Sequence, residues 1–311
     1  MKCIGLFSGG LDSLIAIKLI ESFGIEVIPL SFKSYFFSEK KILKIGEKNN
    51  IKPIVVDISD EHLKIVKNPV YGYGRFLNPC IDCHALMIKT AYNLMKEYDA
   101  SFIITGEVLN ERPFSQTREG LAKVDKLTGL GDITLRPLSA KLLNETKIER
   151  EGWVKREELL GIEGRSRKKQ FELIKKFNIK DFEQPAGGCI LTNEEFCKRL
   201  KPFIMEIKGE DIDIFSIGRH FIFGNSHIII GRNEKENNIL ELKGFISFFL
   251  DGKTGPTGVF RILEKEEHRE FAAELILRYS KEKKGIVIFS DGIKIEATVK
   301  DLDFYEKYLI K

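Results

Sequence analysis

Leu6-Phe7-Ser8-Gly9-Gly10-Leu11-Asp12-Ser13 is the stretch on which the reading of this chain turns. An apolar run, Cys3 to Phe7, precedes it, and an amphipathic one, Leu14 to Phe23, follows. This pattern predicts a short buried strand ending at Phe7 and a helix starting near Asp12. The turn between them holds two glycines, two hydroxyls and a carboxylate. Glycine lets the backbone approach a ligand closely and take positive φ. A helix start adds unpaired N–H groups and a partial positive charge, which together attract phosphate. The turn reads as an anion cradle suited to pyrophosphate, with Ser8 and Ser13 as further donors. It is neither a Walker A loop, which needs Gly-Lys-Ser/Thr, nor a G-x-G-x-x-G fingerprint.

Working outward, strands alternate with helices. Glu26 to Phe32 and Pro53 to Ile58 read as strands, Ser38 to Lys48 and Ala85 to Tyr98 as helices, and Ser101 to Thr105 as a fourth strand. Arg136-Pro137-Leu138 marks another strand end. Such alternation predicts an α/β domain with a parallel sheet. Ligands of such sheets bind beyond the carboxyl ends of the strands, where the Ser8–Ser13 turn would lie. From about residue 205 the texture changes to short strands and hairpin signals, among them Asp213 to Ile217, Ser226 to Gly231, Gly258 to Ile262, Gly285 to Phe289 and Ile293 to Thr298. One strong helix, Glu266 to Tyr279, interrupts them, and Ser290-Asp291-Gly292 reads as a hairpin turn. Two domains are expected, 1–204 and a smaller α+β domain, 205–311. A chain of 311 residues is long enough for both.

Bulk composition narrows the class. Hydrophobic residues make up 43% and charged residues 31%, as in ordinary soluble globular proteins. No apolar run reaches the ~18 residues of a membrane helix. Met1-Lys2-Cys3 leads straight into the first strand, so no signal peptide and no membrane association is expected, and the location should be cytoplasmic. The net charge of +4 says little by itself. The basic excess lies before residue 205, densest at Arg165, Arg167, Lys168, Lys169, Lys175 and Lys176. A run of that kind is usually a solvated helix face, though it is compatible with a polyanion.

Five cysteines, an odd number, point away from a disulfide framework. Cys3 in its strand and Cys197 on its helix read as core. Cys80 and Cys83 form a Cys-x-x-Cys pair just before a helix, where thiol pKa values are typically depressed. Cys189 ends the Gly- and Pro-bracketed turn Gln184-Pro185-Ala186-Gly187-Gly188-Cys189. Should that turn reach the carboxyl edge of the sheet, the three sulfurs could meet above a nucleotide. Three assignments stay open: zinc, with His84 or Cys197 as fourth ligand; an iron–sulfur cluster with one open iron; or persulfide chemistry, in which one cysteine carries sulfur and another resolves the bond.

The order Ser-Gly-Gly-Leu-Asp-Ser at 8–13 resembles the PP-loop of the ATP-pyrophosphatase superfamily. Together with Asn78-Pro79-Cys80-Ile81-Asp82-Cys83 and Gly187-Gly188-Cys189, it is similar to tRNA thiouridine synthetases of the PP-loop class. Gly106-Glu107-Val108-Leu109 followed by Ser115-Gln116-Thr117 resembles the 4-thiouridine synthetases, and Asn78-Pro79-Cys80 the tRNA 2-thiouridylases. The likeness covers about residues 1–200. It implies an adenine nucleotide α-hydrolase-like fold and an ATP-dependent tRNA uridine sulfurtransferase. Such an enzyme adenylates a uridine carbonyl oxygen and then replaces it with sulfur. It also implies that Ser8, Gly9, Gly10, Leu11, Asp12 and Ser13 hold ATP, with Asp12 near Mg2+ or the attacking oxygen. Phe32, Gly106 and Glu107 would border the nucleotide. Cys80, Cys83 and Cys189 match the three-cysteine pattern of thiolases that bind a [4Fe–4S] cluster, with zinc as the rival. The chain has no cysteine beyond Cys197, so the sulfur donor is expected to be sulfide or a cysteine-desulfurase-derived persulfide.

In the C-terminal part, Ile228-Ile229-Ile230-Gly231-Arg232-Asn233-Glu234-Lys235-Glu236-Asn237-Asn238 and Gly255-Pro256-Thr257-Gly258-Val259 resemble the RNA-binding domain of the NFACT proteins of ribosome quality control. This implies tRNA as partner, with Arg219, Arg232 and Arg261 as the first contacts to test; a homodimer is allowed for. Near-neutral charge in this part does not favour backbone binding. Two rivals remain: a PP-loop ligase or amidotransferase acting on a small molecule with zinc at the cysteines, and a non-catalytic RNA-binding quality-control factor.

Overall fold

The computed structural model describes residues 1–183 and 189–311. It divides into two compact units, Met1–Asn193 and Glu194–Lys311. The division falls before the compositional change at 204/205 because the helix Glu194–Leu200 buries Phe196, Cys197 and Leu200 within the second unit.

The first unit is a parallel five-stranded sheet of β1 (Lys2–Leu6), β2 (Glu26–Lys33), β3 (Ile54–Asp57), β4 (Phe102–Ile104) and β5 (Thr134–Leu135), in the order β3-β2-β1-β4-β5. Its helices are α1 (Leu11–Glu21), α2 (Lys40–Lys48), α3 (Ser59–Lys67), α4 (Cys80–Met95), α5 (Arg118–Thr128), the single turn α6 (Lys147–Arg150) and α7 (Lys168–Lys176). One face of the sheet buries Leu14, Ile17, Ile20 and Ile45 of α1 and α2, with Ile174 of α7 packed against them. The other face buries Ile81, Ala85 and Ile88 of α4 and Val124 of α5. At roughly 25 cal/mol per Å² of apolar surface, these two layers carry the stability of the unit. Strand order reverses between β1 and β4, so the crevice that such sheets offer to ligands opens at the carboxyl ends of those two strands.

The second unit comprises α8 (Glu194–Leu200), β6 (Arg219–Phe223), β7 (Ser226–Ile230), α9 (Glu234–Glu241), β8 (Ile246–Leu250), β9 (Gly258–Ile262), α10 (His268–Arg278), β10 (Lys284–Phe289), β11 (Lys294–Thr298) and α11 (Leu302–Glu306). Its six strands form an antiparallel sheet ordered β11-β10-β8-β9-β7-β6. Phe271, Ala272, Leu275 and Ile276 of α10 pack on Phe221, Ile228, Phe248, Phe260 and Phe289.

Several expectations are corrected here. Asp213 to Ile217 is no strand: Gly209–Ser216 is a 3-10 stretch that buries Ile212, Ile214 and Phe215. The strands β6 and β8 and the helix α9 lie where neither was expected. Asn233 caps α9 by accepting from the Glu236 N–H, so the charged run after it folds as a helix. The helix read as starting at Ala85 begins at Cys80, which puts the Cys-x-x-Cys pair inside its first turns.

Candidate functional site

The Ser8–Ser13 turn stands at the carboxyl end of β1, as its sequence requires. Phe7 is pinned by its N–H to the Leu30 carbonyl (2.8 Å), and Ser31 Oγ donates to the Phe7 carbonyl (2.7 Å). Gly9 has φ of +76°, the conformation that reserves the position for glycine. Gly10 caps α1, which begins at Leu11. Ser13 Oγ donates to the Gly10 carbonyl (2.8 Å) and meets Ser8 Oγ at 3.2 Å, while Gly10 N–H reaches Ser8 Oγ at 3.3 Å. The hydroxyls therefore hold the loop curled around its own N–H groups. Leu11 serves the core, at 1% exposure.

Gly106 and Glu107 follow β4, the neighbour of β1 across the switch point. A Cβ at Gly106 would sit 2.5 Å from the Ser13 nitrogen, so only glycine lets this strand end close against the cradle. Glu107 is buried and fully engaged. It accepts from Arg136 Nε (2.9 Å) and Thr105 Oγ1 (3.0 Å), and it pairs with His84 Nδ1 (2.7 Å). Arg136 in turn forks onto both oxygens of Asp125 (2.8 and 3.2 Å). Burial would push Glu107 up, but Arg136 and His84 outweigh it and hold the carboxyl down to about 2. Glu107 is thus a fixed anion bracing β4 and α4, and its partner His84 is committed to it. Phe32 is 5% exposed and packs among Leu30, Ile58 and Ile81 inside the sheet core.

Asp12 projects from the first turn of α1 into a group the sequence did not disclose. Arg167 Nη2 lies 3.6 Å from Asp12 and 3.1 Å from Glu111, and Gln170 Nε2 donates to Asp12 at 3.3 Å. Burial first, then the Glu111 carboxylate, push Asp12 up to about 6 against the pull of Arg167. Two carboxylates share one guanidinium, and the buried Oε1 of Gln170 has no hydrogen-bond partner among the described residues. The only sequence signal was a glutamine interrupting a basic run.

The cysteine pair is positioned by its own helix and loop. Asp82 accepts from the Val70 and Tyr71 N–H groups (2.6 and 3.2 Å), which ties the irregular stretch before Pro79 onto α4. Cys80 Sγ donates to Asn78 Oδ1 at 2.9 Å. Cys83 is buried, and its thiol is pushed up by burial and then by the neighbouring Cys189 and Cys80. The structure therefore brings Cys189 and both members of the pair into one neighbourhood. Gln184 to Gly188, the rest of the Gly-rich turn, lie outside the described residues. Burial also pushes Cys80 up, only partly countered by Ser115 and Arg112. The depressed thiol pKa values expected from the helix start are not found, because desolvation outweighs the local dipole. Three thiols suit a thiophilic centre in kind. Their placement is another matter: among the described residues, no group of three or more His, Cys, Asp and Glu side chains is disposed to hold a metal ion. The side chains as placed do not fit a cluster or zinc. Cys197 lies in the second unit, buried on α8; Cys3 is buried in β1.

In the second unit, the three arginines expected as RNA contacts each have an internal partner. Arg232 forks onto Glu236 (2.7 and 3.0 Å), Arg219 stacks on Tyr279 (4.4 Å), and Arg261 Nε donates to His227 Nδ1 (2.8 Å). No helix among the described residues is long and apolar enough to cross a membrane.

Comparison with known proteins gives two separate likenesses. The family model "NFACT protein RNA binding domain" matches residues 218–298. A probable tRNA sulfurtransferase of Thermococcus kodakarensis is 30% identical over 138 residues, which cover 42% of this chain and 35% of that protein. The tRNA-specific 2-thiouridylase MnmA 1 of Fusobacterium nucleatum is 24% identical over 257 residues, covering 73% of this chain and 68% of that protein. With the MnmA of Campylobacter curvus, 28% identical, the match spans 34% of each chain. The chain thus spans about a third of the length of the Thermococcus and Campylobacter relatives. Among solved structures, a 4-thiouridine synthetase–RNA complex with bound ATP aligns with a TM-score of 0.38 and 18% identity, over 69% of this chain and 52% of that one. Parts of the chain are accordingly similar to a probable tRNA sulfurtransferase and to tRNA-specific 2-thiouridylases, and residues 218–298 match the NFACT RNA-binding model.

Proposed function

We propose that this chain is an ATP-dependent tRNA uridine sulfurtransferase. The observation that carries the reading is the pairing within one unit of a pyrophosphate cradle, Ser8–Ser13, with a cysteine trio in which Cys83 senses both Cys80 and Cys189. The sequence likeness to sulfurtransferases and 2-thiouridylases supports it.

A carbonyl oxygen is a poor leaving group, so it must be activated before sulfur can replace it. Ser8, Gly9, Gly10 and Ser13, with the start of α1, hold the β- and γ-phosphates while the uridine oxygen attacks the α-phosphorus and pyrophosphate leaves. Asp12 is under-compensated by Arg167, so a Mg2+ ion accompanying ATP is its natural counter-ion. Glu107 and Gly106 keep the end of β4 against the loop and so fix the cradle's wall.

A persulfide sulfur on one cysteine attacks the activated carbon, and AMP leaves. A second cysteine thiolate then attacks the resulting disulfide, releasing the thiouridine and forming a Cys–Cys disulfide. Sulfide reloads the site by attacking the Cys–Cys disulfide, which leaves one cysteine as persulfide and releases the other as thiolate; alternatively a cellular thiol reduces the disulfide and a cysteine-desulfurase persulfide passes its outer sulfur to the freed thiolate. The rival form of the reading places a [4Fe–4S] cluster, or zinc, at Cys80, Cys83 and Cys189. No step here passes through such a group.

The test is incubation of the anaerobically purified chain with tRNA, ATP and a sulfide or persulfide donor, followed by nucleoside analysis and by iron, zinc and sulfide analysis. Thiouridine that depends on ATP, with tRNA-dependent ATP–pyrophosphate exchange, is the expected result. Exchange supported by a small acid alone would replace this reading with a ligase. About four irons per chain would move the sulfur step onto a cluster.

A further inference from the structure

The cradle is bracketed by two helices whose outward charges the proposed chemistry does not use. On one side is α2, since a Cβ at Gly9 would lie in contact with Ile42 and Ile45, 3.4–3.6 Å away. On the other is α7, which sends Gln170, together with its flanking Arg167, to Asp12. Both helices turn their remaining polar residues to solvent. Lys40, Lys41 and Lys44 are exposed on α2, and Lys168, Lys169, Lys175 and Lys176 on α7. Among the described residues, none of these seven has a carboxylate within ion-pairing distance. Lys41 and Lys44 line a surface groove with Glu47, the Lys48–Asp181 ion pair and Glu183, whose N–H donates to the Gly9 carbonyl (2.8 Å). The groove therefore runs up to the cradle itself. On α7, Lys168, Phe171 and Lys175 fall on one stripe at i, i+3 and i+7, and the Phe171 ring is 53% exposed between the two lysines. Lysine rows with an exposed aromatic between them are the composition that phosphate contact plus base stacking requires.

The geometry points to these two outward faces as the surface that holds the phosphodiester backbone of the RNA substrate across the mouth of the ATP cradle. The inference rests on the reading that the substrate is tRNA. Charge complementarity selects the occupant: seven unpaired cations favour a polyanion, and their spacing along two helices favours an extended one over a free phosphate.

The experiment measures binding of a fluorescent tRNA transcript to the full chain as a function of salt. It compares the parent with K168Q/K169Q/K175Q/K176Q, K41Q/K44Q and a second-unit control, K284Q/K294Q. Affinity should fall by roughly tenfold or more in the α7 variant, and the slope of log affinity against log salt should drop by about one for each lost phosphate contact. The control should match the parent. Binding of a fluorescent ATP analogue, unchanged in every variant, shows that the fold is retained. An α7 and an α2 variant that both keep the parental affinity and slope would overturn the surface alone. A parent chain that binds no tRNA would overturn both this inference and the proposed substrate.

Discussion

Among the described residues of the first unit, Asp12 and Glu111 share a single guanidinium, Gln170 keeps a buried oxygen without a partner, and all the lysines of α2 and α7 except Lys48, which pairs with Asp181, face solvent without a carboxylate partner. In the second unit most of the buried charges are closed on one another, although the buried Arg261 Nη2 has no hydrogen-bond partner among the described residues. Arg232 holds Glu236, Arg269 bridges Glu266 and Asp291, and Lys243, Lys284 and Lys300 each meet a carboxylate within 2.9 Å. The buried histidines form a hydrogen-bonded chain: Arg261 Nε donates to His227, whose Nε2 lies 3.0 Å from His220 Nδ1, and His220 Nε2 reaches the Ile217 carbonyl at 2.8 Å. Burial pushes both rings down, His220 to about 3, so both are neutral and serve as hydrogen-bond relays. Unmet polarity marks where a ligand is to be received, and satisfied polarity marks where a fold is being held. This contrast directs attention to the first unit for both ATP and RNA phosphate.

The comparison can be broken at five points. Cys83→Ala and Cys189→Ala should each cut thiouridine formation by about a thousandfold, roughly 4 kcal/mol of barrier, while tRNA-dependent ATP–pyrophosphate exchange persists. Loss of exchange as well would mean that the cysteines shape the cradle instead of handling sulfur.

Glu107→Gln should destabilise the chain by ~3 kcal/mol at neutral pH, because it strips a buried partner from Arg136. Its pH dependence has a definite sign. The folded carboxyl sits at about 2, below its usual 4.5, so its contribution is present above about 4.5 and is lost as pH falls through about 2. Denaturant melts of parent and variant should therefore converge toward pH 2. Asp12 runs the other way. Held up at about 6, it makes the parent lose stability as pH rises from about 4 to about 6, a slope that Asp12→Asn should abolish.

Gly106→Ala should cost ~2 kcal/mol and weaken ATP binding, since its Cβ would meet the Ser13 backbone, which has no flexible end to move. Equal ATP affinity would show that the end of β4 is not a wall of the cradle.

Arg232→Gln sets the lower bound. The ion pair is half-exposed, so stability should change by less than about 1 kcal/mol and tRNA affinity by less than about twofold. A large loss of RNA affinity would mean that this arginine leaves Glu236 to bind RNA, and the closed-charge picture of the second unit would fail.

Much of the first unit was legible because its signals are local. Strand–turn–helix at 2–21, two glycines at the turn and alternation of β with α leave few topologies. The second unit was less legible. Isoleucine and phenylalanine runs suit a strand or a buried 3-10 stretch equally, so Asp213 to Ile217 reads as a strand in sequence yet folds as a 3-10 stretch, while β6 and β8 carry no distinctive signal. The cysteines show the same limit on a finer scale. Their spacing indicated reactive thiols, but their ionisation is set by burial, a property of the whole neighbourhood.

For the Ser8–Ser13 cradle, sequence alone determined the element order, the need for glycine and the anion-binding chemistry, because each follows from backbone conformation and helix start. Tertiary structure decided what surrounds it. Arg167, Gln170 and Glu111 stand far from Asp12 along the chain; the packing of α7 on α1 brings the first two to its carboxylate, and the segment after β4 carries Glu111 to the same guanidinium. Gly106 shows why: residues almost a hundred positions apart become neighbours only where β4 pairs with β1, and that pairing is a property of the sheet.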